Sequence, residues 1–298
     1  MMYRNGWNVG AAAMLLAVSL SAAPASSKLV DAVKNSDKAS ARALIAQNAD
    51  VNSTEVDGTT ALHWAVRRDD VETTRLLLSK GANAKAANRY GITPLTLACQ
   101  NGNAAIIEAL IKAGANANTV FGEGETALMT AARTGKLDAV KVLLSNGANV
   151  NAKEPRQGQT ALMWAAAEGN ADVVAELVER GADIHVRSDG FTPLLFAIRE
   201  GRMNVVKTLL KSGADVNEKW MPNSRRTPGS GSSALVLAVN NAHWELAAML
   251  LDAGADPNAA EQGWTALHEM TWVRKPGTGT NQPAPQGSGN ITSLDLLK

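Results

Sequence analysis

TALMWAAAEGNADVVAELVERGAD, residues 160–183, holds two apolar periodicities in one short stretch. Leu162, Ala165 and Ala166 fall on one face of a helix. Gly169 and Asn170 interrupt it. Val173, Val174, Leu177 and Val178 then give a second face at i, i+1, i+4 and i+5. Gly181 ends the second helix in the way a left-handed cap does. The stretch reads as a helical hairpin with two apolar faces, too short to bury both within itself. It needs neighbours of its own kind.

The chain supplies them. Thr60, Thr93, Thr126, Thr160, Thr192, Ser233 and Thr265 open matching copies, at steps of 33, 33, 34, 32, 41 and 32 residues. Gly81, Gly114, Gly147, Gly181, Gly213 and Gly254 close six of them, each followed by Ala and then Asn or Asp. Five openings read TALHWA from Thr60, TPLTLA from Thr93, TALMTA from Thr126, TPLLFA from Thr192 and TALHEM from Thr265. A period near 33 with a turn and two helices resembles the ankyrin repeat family, over roughly residues 28–298. The resemblance implies an all-α ankyrin repeat solenoid of stacked helix–turn–helix units. It also implies a chain that binds other proteins, with the partner left open.

The totals fit a stacked array. A chain of 298 residues would by length alone favour two globular domains, but a solenoid has no internal boundary. A formal net charge of +1 gives no drive toward nucleic acid or a membrane surface. Aromatic residues make up only 4%, so the core has to be Ala, Leu, Val and Ile, whose small faces suit closely stacked helices. Cys99 is the single cysteine, which excludes an intramolecular disulfide. Its place in LACQ, where other copies hold Ala or Val, marks it as a small buried hydrophobe.

Residues 1–25 read as a secretory signal peptide. Arg4 is the only charge before Lys28, residues 9–20 are an apolar run, and Ala23-Pro24-Ala25 places small residues before Ser26. The expectation is export to a periplasm or the extracellular space, with no membrane insertion after cleavage. Residues 26–55 lack the Thr-x-Leu opening but keep ARALIAQNADVN. Lys28, Asp31, Lys34, Asp37 and Lys38 are expected to make the first helix of this unit polar, as an N-terminal capping repeat requires.

Residues 56–217 are regular repeats. Thr at each opening is placed to cap the first helix through its hydroxyl, and Pro94 and Pro193 follow where a missing N–H is harmless. His63 and His268 occupy the family's histidine position, which implies a structural hydrogen bond. An insertion at 218–232, rich in Pro, Gly and Ser, is expected as an exposed loop. The repeats resume at 233–298, interrupted by a second insertion at 273–290. The final ITSLDLLK is expected to form two turns of a second helix, with Leu294, Leu296 and Leu297 uncovered on one side, and the chain to be a piece of a longer array.

Chemistry is scarce. His63, His185, His243 and His268 lie in four different copies, and neither His-x-x-x-His nor Cys-x-x-Cys occurs. Gly-x-Ser-x-Gly and a phosphate loop are absent too, so no catalytic residue, metal ligand or cofactor is expected. Two other readings stand beside a non-catalytic binder. One is the recognition arm of a larger exported enzyme or redox protein whose catalytic domain lies outside this chain. The other is a purely structural scaffold.

The binding face is what remains. In the family, turn tips and the outer face of the first helix line a concave groove. Carried onto this chain, that places Arg89, Tyr90, Arg156 and Phe191 at turns, and Arg67, Arg68, Arg133 and Arg199 on helices. Arg67, Arg133 and Arg199 share one register in alternate copies and would lie ~20 Å apart along one face. With Tyr90 and Phe191 as anchors they form an arginine track suited to an acidic partner segment. Trp64 and Trp164 are expected to pack between layers, and Trp244 to be partly buried. Trp264 at a turn and Trp220 in the insertion are interface candidates. The chain is expected to act as a monomer.

Overall fold

The structure, a computed structural model, describes residues 28–221, 231–260, 263–273, 292 and 295–297. The expected signal peptide, most of both insertions and Leu294 lie outside the described residues.

Helices follow one another in antiparallel pairs. They are Lys28–Lys34 (α1) and Lys38–Ala46 (α2), Ala61–Arg67 (α3) and Val71–Ser79 (α4), Pro94–Asn101 (α5) and Ala104–Lys112 (α6), Ala127–Thr134 (α7) and Leu137–Ser145 (α8). Next come Ala161–Glu168 (α9) and Ala171–Glu179 (α10), Pro193–Arg199 (α11) and Met203–Lys211 (α12), Ala234–Asn240 (α13) and Trp244–Asp252 (α14), and then Ala266–Val273 (α15). The first helices of successive pairs stack in one layer, from α1 through α3 to α15, and the second helices from α2 to α12 stack in another. Each pair thereby covers the apolar face its neighbour cannot cover alone. In the opening stretch Leu162, Ala165, Ala166, Val173, Val174 and Leu177 are all buried, and Val178 is half-buried. Each fully buried Leu or Val contributes about 1.5–3 kcal/mol.

The hydroxyls at the repeat openings do what their position implies. Thr60, Thr93, Thr126, Thr160, Thr192 and Ser233 each accept the backbone N–H three residues on. His63 completes a capping box: Nδ1 accepts from the Thr60 backbone N–H at 3.2 Å, and Nε2 lies 3.0 Å from the Ile92 carbonyl in the next repeat. Short ladders present these caps. Val120–Phe121 (β1) pairs antiparallel with Glu125–Thr126 (β2), and Lys219–Trp220 (β3) with Ser232–Ser233 (β4). Cys99 is buried and its thiol is pushed up to about 12 by that burial, so it is a packing residue.

The second helices α2, α4 and α6 are capped by the side chains of Asp37, Asp70 and Asn103, but later ones differ. The residues preceding α10, α12 and α14 make no side-chain cap bond. Their side chains reach back to the preceding repeat instead. Asn170 donates to the Ala132 carbonyl at 2.8 Å, Arg202 Nε to Ala167 at 2.8 Å, and His243 Nε2 to Arg199 at 3.0 Å. The open carbonyls at the end of one first helix are therefore satisfied by the next repeat. Gly135 (φ +69°) lies under Asn170, where an added Cβ would fall 2.6 Å from Oδ1. Glycine is needed there for both φ and approach.

Four expectations are corrected. Asp37 and Lys38 belong to the second helix of the terminal unit, where Asp37 is the N-cap of α2, while α1 buries Leu29, Val30, Ala32 and Val33. Trp244 is fully rather than partly buried. The insertion does not begin as exposed loop. Glu218 is buried and accepts a short hydrogen bond from the Thr192 hydroxyl, and the β3–β4 ladder follows. Burial pushes its carboxyl above the usual range. At the far end, Asp295–Leu297 form a 3-10 turn rather than α-helix, and Leu296 packs half-buried against the core.

Candidate functional face

The stacked first helices and the turns before them form one continuous face, and its design is a cation laid on a ring. The Arg67 guanidinium lies 5.6 Å from the Trp64 ring centre, and Lys34 Nζ lies 4.9 Å from the same ring. Arg133 lies 4.9 Å from the Trp164 ring, and Arg199 lies 4.9 Å from both Phe191 and Phe196. Such contacts hold a long cationic side chain in one orientation, each adding about 0.5–1 kcal/mol at an exposed site.

The three arginines of the shared register differ in their partners. Arg133 comes within 3.6 Å of Glu125, whose Oε1 also accepts from Thr130 Oγ1 at 2.5 Å. Arg199 pairs with Glu200 at 2.9 Å. Arg67 meets no carboxylate within 4 Å among the described residues.

Two cavities open on this face. The larger, about 590 Å³, is walled by Trp64, Arg67, Tyr90, Ile92, Leu97 and Asn101, with Asp57 and His63 also in its lining. Asp57 is held below the usual carboxylate range by the Thr59 backbone N–H at 2.9 Å. The smaller, about 310 Å³, is lined by Glu123, Glu125, Glu154, Arg156, Gln159 and Trp164. Burial would raise the Glu154 carboxyl, but the N–H groups of Gln159, Arg156 and Gln157 hold it below its ordinary value. That carboxylate shapes its own turn, while Glu123 pairs with Arg156 at 2.9 Å and Glu125 lies 3.6 Å from Arg133.

Arg67 and Tyr90 therefore meet in one cavity, and Arg156 joins Trp164 in the other. Arg89 stacks 5.0 Å over the Tyr90 ring and donates to its hydroxyl at 2.8 Å. Phe191 is a half-buried wall rather than a free anchor: it packs 5.3 Å from both Phe196 and Trp220. Trp220 is fixed there by its indole N–H to the Asp189 carbonyl at 3.2 Å. Trp264 is exposed and lies 6.0 Å from the His268 ring, outside the lining of both cavities. Arg68 is turned away from the two cavities. Its guanidinium donates to the Lys34 carbonyl at 2.5 Å, and it lines a small cleft with Asp37, Lys38 and Asp70.

Trp64 and Trp164 pack against the core and, beyond the sequence reading, also face the cavities. They are half-buried cavity walls, each with its indole N–H anchored, Trp64 to Glu55 at 3.0 Å and Trp164 to Gln159 at 2.8 Å. Arg67, three residues after Trp64 on one helical face, was the signal that could have exposed the first. No comparable local signal exists for the second, whose arginine comes from the previous repeat.

The family model of ankyrin repeats in three copies matches residues 29–121, 86–154 and 128–219, and the single ankyrin repeat model matches residues 230–261. The chain belongs to the ankyrin repeat family. Among solved structures, the human ASB11 ankyrin repeat domain is 25% identical and superposes with a TM-score of 0.61. The match covers 85% of this ankyrin chain and 100% of that one. A search of curated protein sequences gave no match. Ankyrin repeats are in general scaffolds for protein–protein interaction and typically non-catalytic. Among the described residues no three His, Cys, Asp or Glu side chains group as a metal site, and no helix is long and apolar enough to cross a membrane.

Proposed function

We propose that this ankyrin array is a non-catalytic scaffold that binds a partner protein along the face of its first helices and turns. The observation that carries the reading is the row of arginines laid on aromatic rings, with one cavity at Arg67 and Trp64 and another at Trp164. A half-buried ring and an oriented guanidinium are the groups that concentrate binding energy at interfaces, because ordering them on binding costs little. The exposed apolar side chains Val56, Tyr90 and Val120 stand on successive turns and extend the same contact surface. The protein acts outside the cytoplasm, as a monomer, after removal of its N-terminal segment. The export part of the reading rests on the apolar run at 9–20 and the Ala-Pro-Ala before Ser26.

Capture of a partner from an extract of the native host tests the binding reading. The full chain is compared with a Trp64→Ala/Trp164→Ala/Arg133→Ala variant whose folding is checked by circular dichroism. Loss of the partner supports this face. A partner held equally by both chains removes it and shifts attention to the neighbourhood of Trp220 and Trp264. For export, N-terminal sequencing of the protein isolated from its host is expected to begin near Ser26. Met1 retained in a cytoplasmic fraction would overturn that expectation.

A further inference from the structure

The three arginines of the shared register are not equivalent, and their difference narrows the partner. Arg133 and Arg199 already have a carboxylate of this chain, Glu125 at 3.6 Å and Glu200 at 2.9 Å. A partner carboxylate arriving at either would meet a guanidinium whose charge is already partly offset. Arg67 has none among the described residues, and Trp64 below it fixes the guanidinium without using its N–H edge. Beside it, Tyr90 is 63% exposed, and its hydroxyl and ring are both held by Arg89. The cavity between Trp64 and Tyr90 has half-buried Ile92 and Leu97 in its wall and a volume of about 590 Å³. That volume is enough for an aromatic or branched side chain.

We infer that this cavity is the anchor site of the partner, and that it takes an extended peptide segment in which an acidic residue stands beside a large apolar one. The inference rests on the proposed binding face and deepens it. The apolar side chain enters between Trp64 and Tyr90, and the neighbouring carboxylate meets the N–H edge of Arg67. The Asn101 side chain is already committed to the Val66 carbonyl at 2.8 Å, so Arg67 is the charged donor that fixes register. The smaller cavity makes a contrasting contact. Its Glu123 is already paired with Arg156 at 2.9 Å and its Glu125 with Arg133 at 3.6 Å, so the arginines there are engaged where Arg67 is not, and the acidic preference is confined to the Arg67 end.

The test is a random peptide library displayed on phage and selected against the immobilised full chain. Selected peptides are expected to share Asp or Glu adjacent to an aromatic or branched residue. Their affinity should fall about tenfold or more with Arg67→Ala and with Tyr90→Ala, stay within about twofold with Arg199→Ala, and weaken as salt is raised. Selection against Arg67→Glu should replace the acidic residue by Lys or Arg. Folding of every variant is checked by thermal melts, and Arg67→Lys, which keeps the charge, should retain the acidic preference. Peptides that bind with no acidic preference, or that lose affinity with Arg199→Ala but not Arg67→Ala, overturn the anchor while leaving the binding face intact. Peptides insensitive to every substitution on this face overturn both.

Discussion

Thr74 lies fully buried in α4, and its hydroxyl has no hydrogen-bond partner among the described residues. The same position in the following repeats reads Ile107, Val140, Val174 and Val206, each fully buried. Thr74→Val removes an unpaired polar group and keeps the branched shape. It is expected to raise stability by about 1–2 kcal/mol in urea denaturation. His63 makes a pH-dependent contribution of definite sign. Burial lowers its pKa from the ordinary 6.5, outweighing the Ile92 carbonyl and Asp57. Below that ordinary value the unfolded chain binds the proton that the folded chain refuses, so stability falls as pH drops through the window under 6.5. The next repeat holds Thr96 at this place and makes the same capping box. His63→Thr should therefore flatten the loss of denaturation midpoint between about pH 7 and about pH 5.5 relative to the parent.

At the scale of the element, repeats are tied edge to edge by asparagine clamps. Asn52, Asn118, Asn151 and Asn217 each donate to a glycine carbonyl of the following repeat, those of Gly81, Gly147, Gly181 and Gly254. Each also accepts the backbone N–H two residues beyond that glycine, those of Asn83, Asn149, Asp183 and Asp256. Lys85 and His185 hold this register at the other two junctions of the ladder. The Lys85 side chain already lies over Gly114, whose Cβ position would be 3.7 Å from its Cε. Lys85→Asn should complete the clamp to the Gly114 carbonyl and the Asn116 N–H. Both bonds are exposed, so the expected gain is about 0.5–1 kcal/mol. An unchanged urea midpoint would show that the lysine stem packs as well as the clamp binds.

For the whole molecule, stability is close to a sum of repeat terms and junction terms, so the weakest junction decides where the array opens. The first-helix layer is continuous, but the second-helix layer loosens between α12 and α14, at the repeat junction that carries the 218–232 insertion. Glu218, buried and held off its usual ionisation range, sits at that junction too. Hydrogen exchange is expected to show α13, α14 and α15 opening together ahead of α5–α12, with the boundary after Lys211. Uniform protection from α3 to α14 would show that the first-helix layer alone carries the coupling.

The repeat itself was legible because its determinants are local. A Thr that caps the helix it opens, a Gly that must take positive φ, and an apolar face spaced for a helix all act within a few residues. They fix the helix pairs and, through their recurrence, the stack. The openings at Thr60, Thr93, Thr126, Thr160, Thr192 and Ser233 and the buried Cys99 needed nothing else. The register of Arg67, Arg133 and Arg199 was equally plain, since equal repeats place equal positions in line. What each arginine meets was not, because its ring or carboxylate can come from another repeat. Trp164 serves Arg133 across 31 residues of chain, and Glu125 lies on the turn before α7. Glu218 reads as one more loop carboxylate until the hydroxyl of Thr192, 26 residues earlier, folds over it. Asn170, Arg202 and His243 share little side-chain chemistry, yet all three satisfy carbonyls of the repeat before them. Local sequence sets backbone conformation, since dihedral preference and capping are local; the stack alone decides which polar side chains are left over to bind something else.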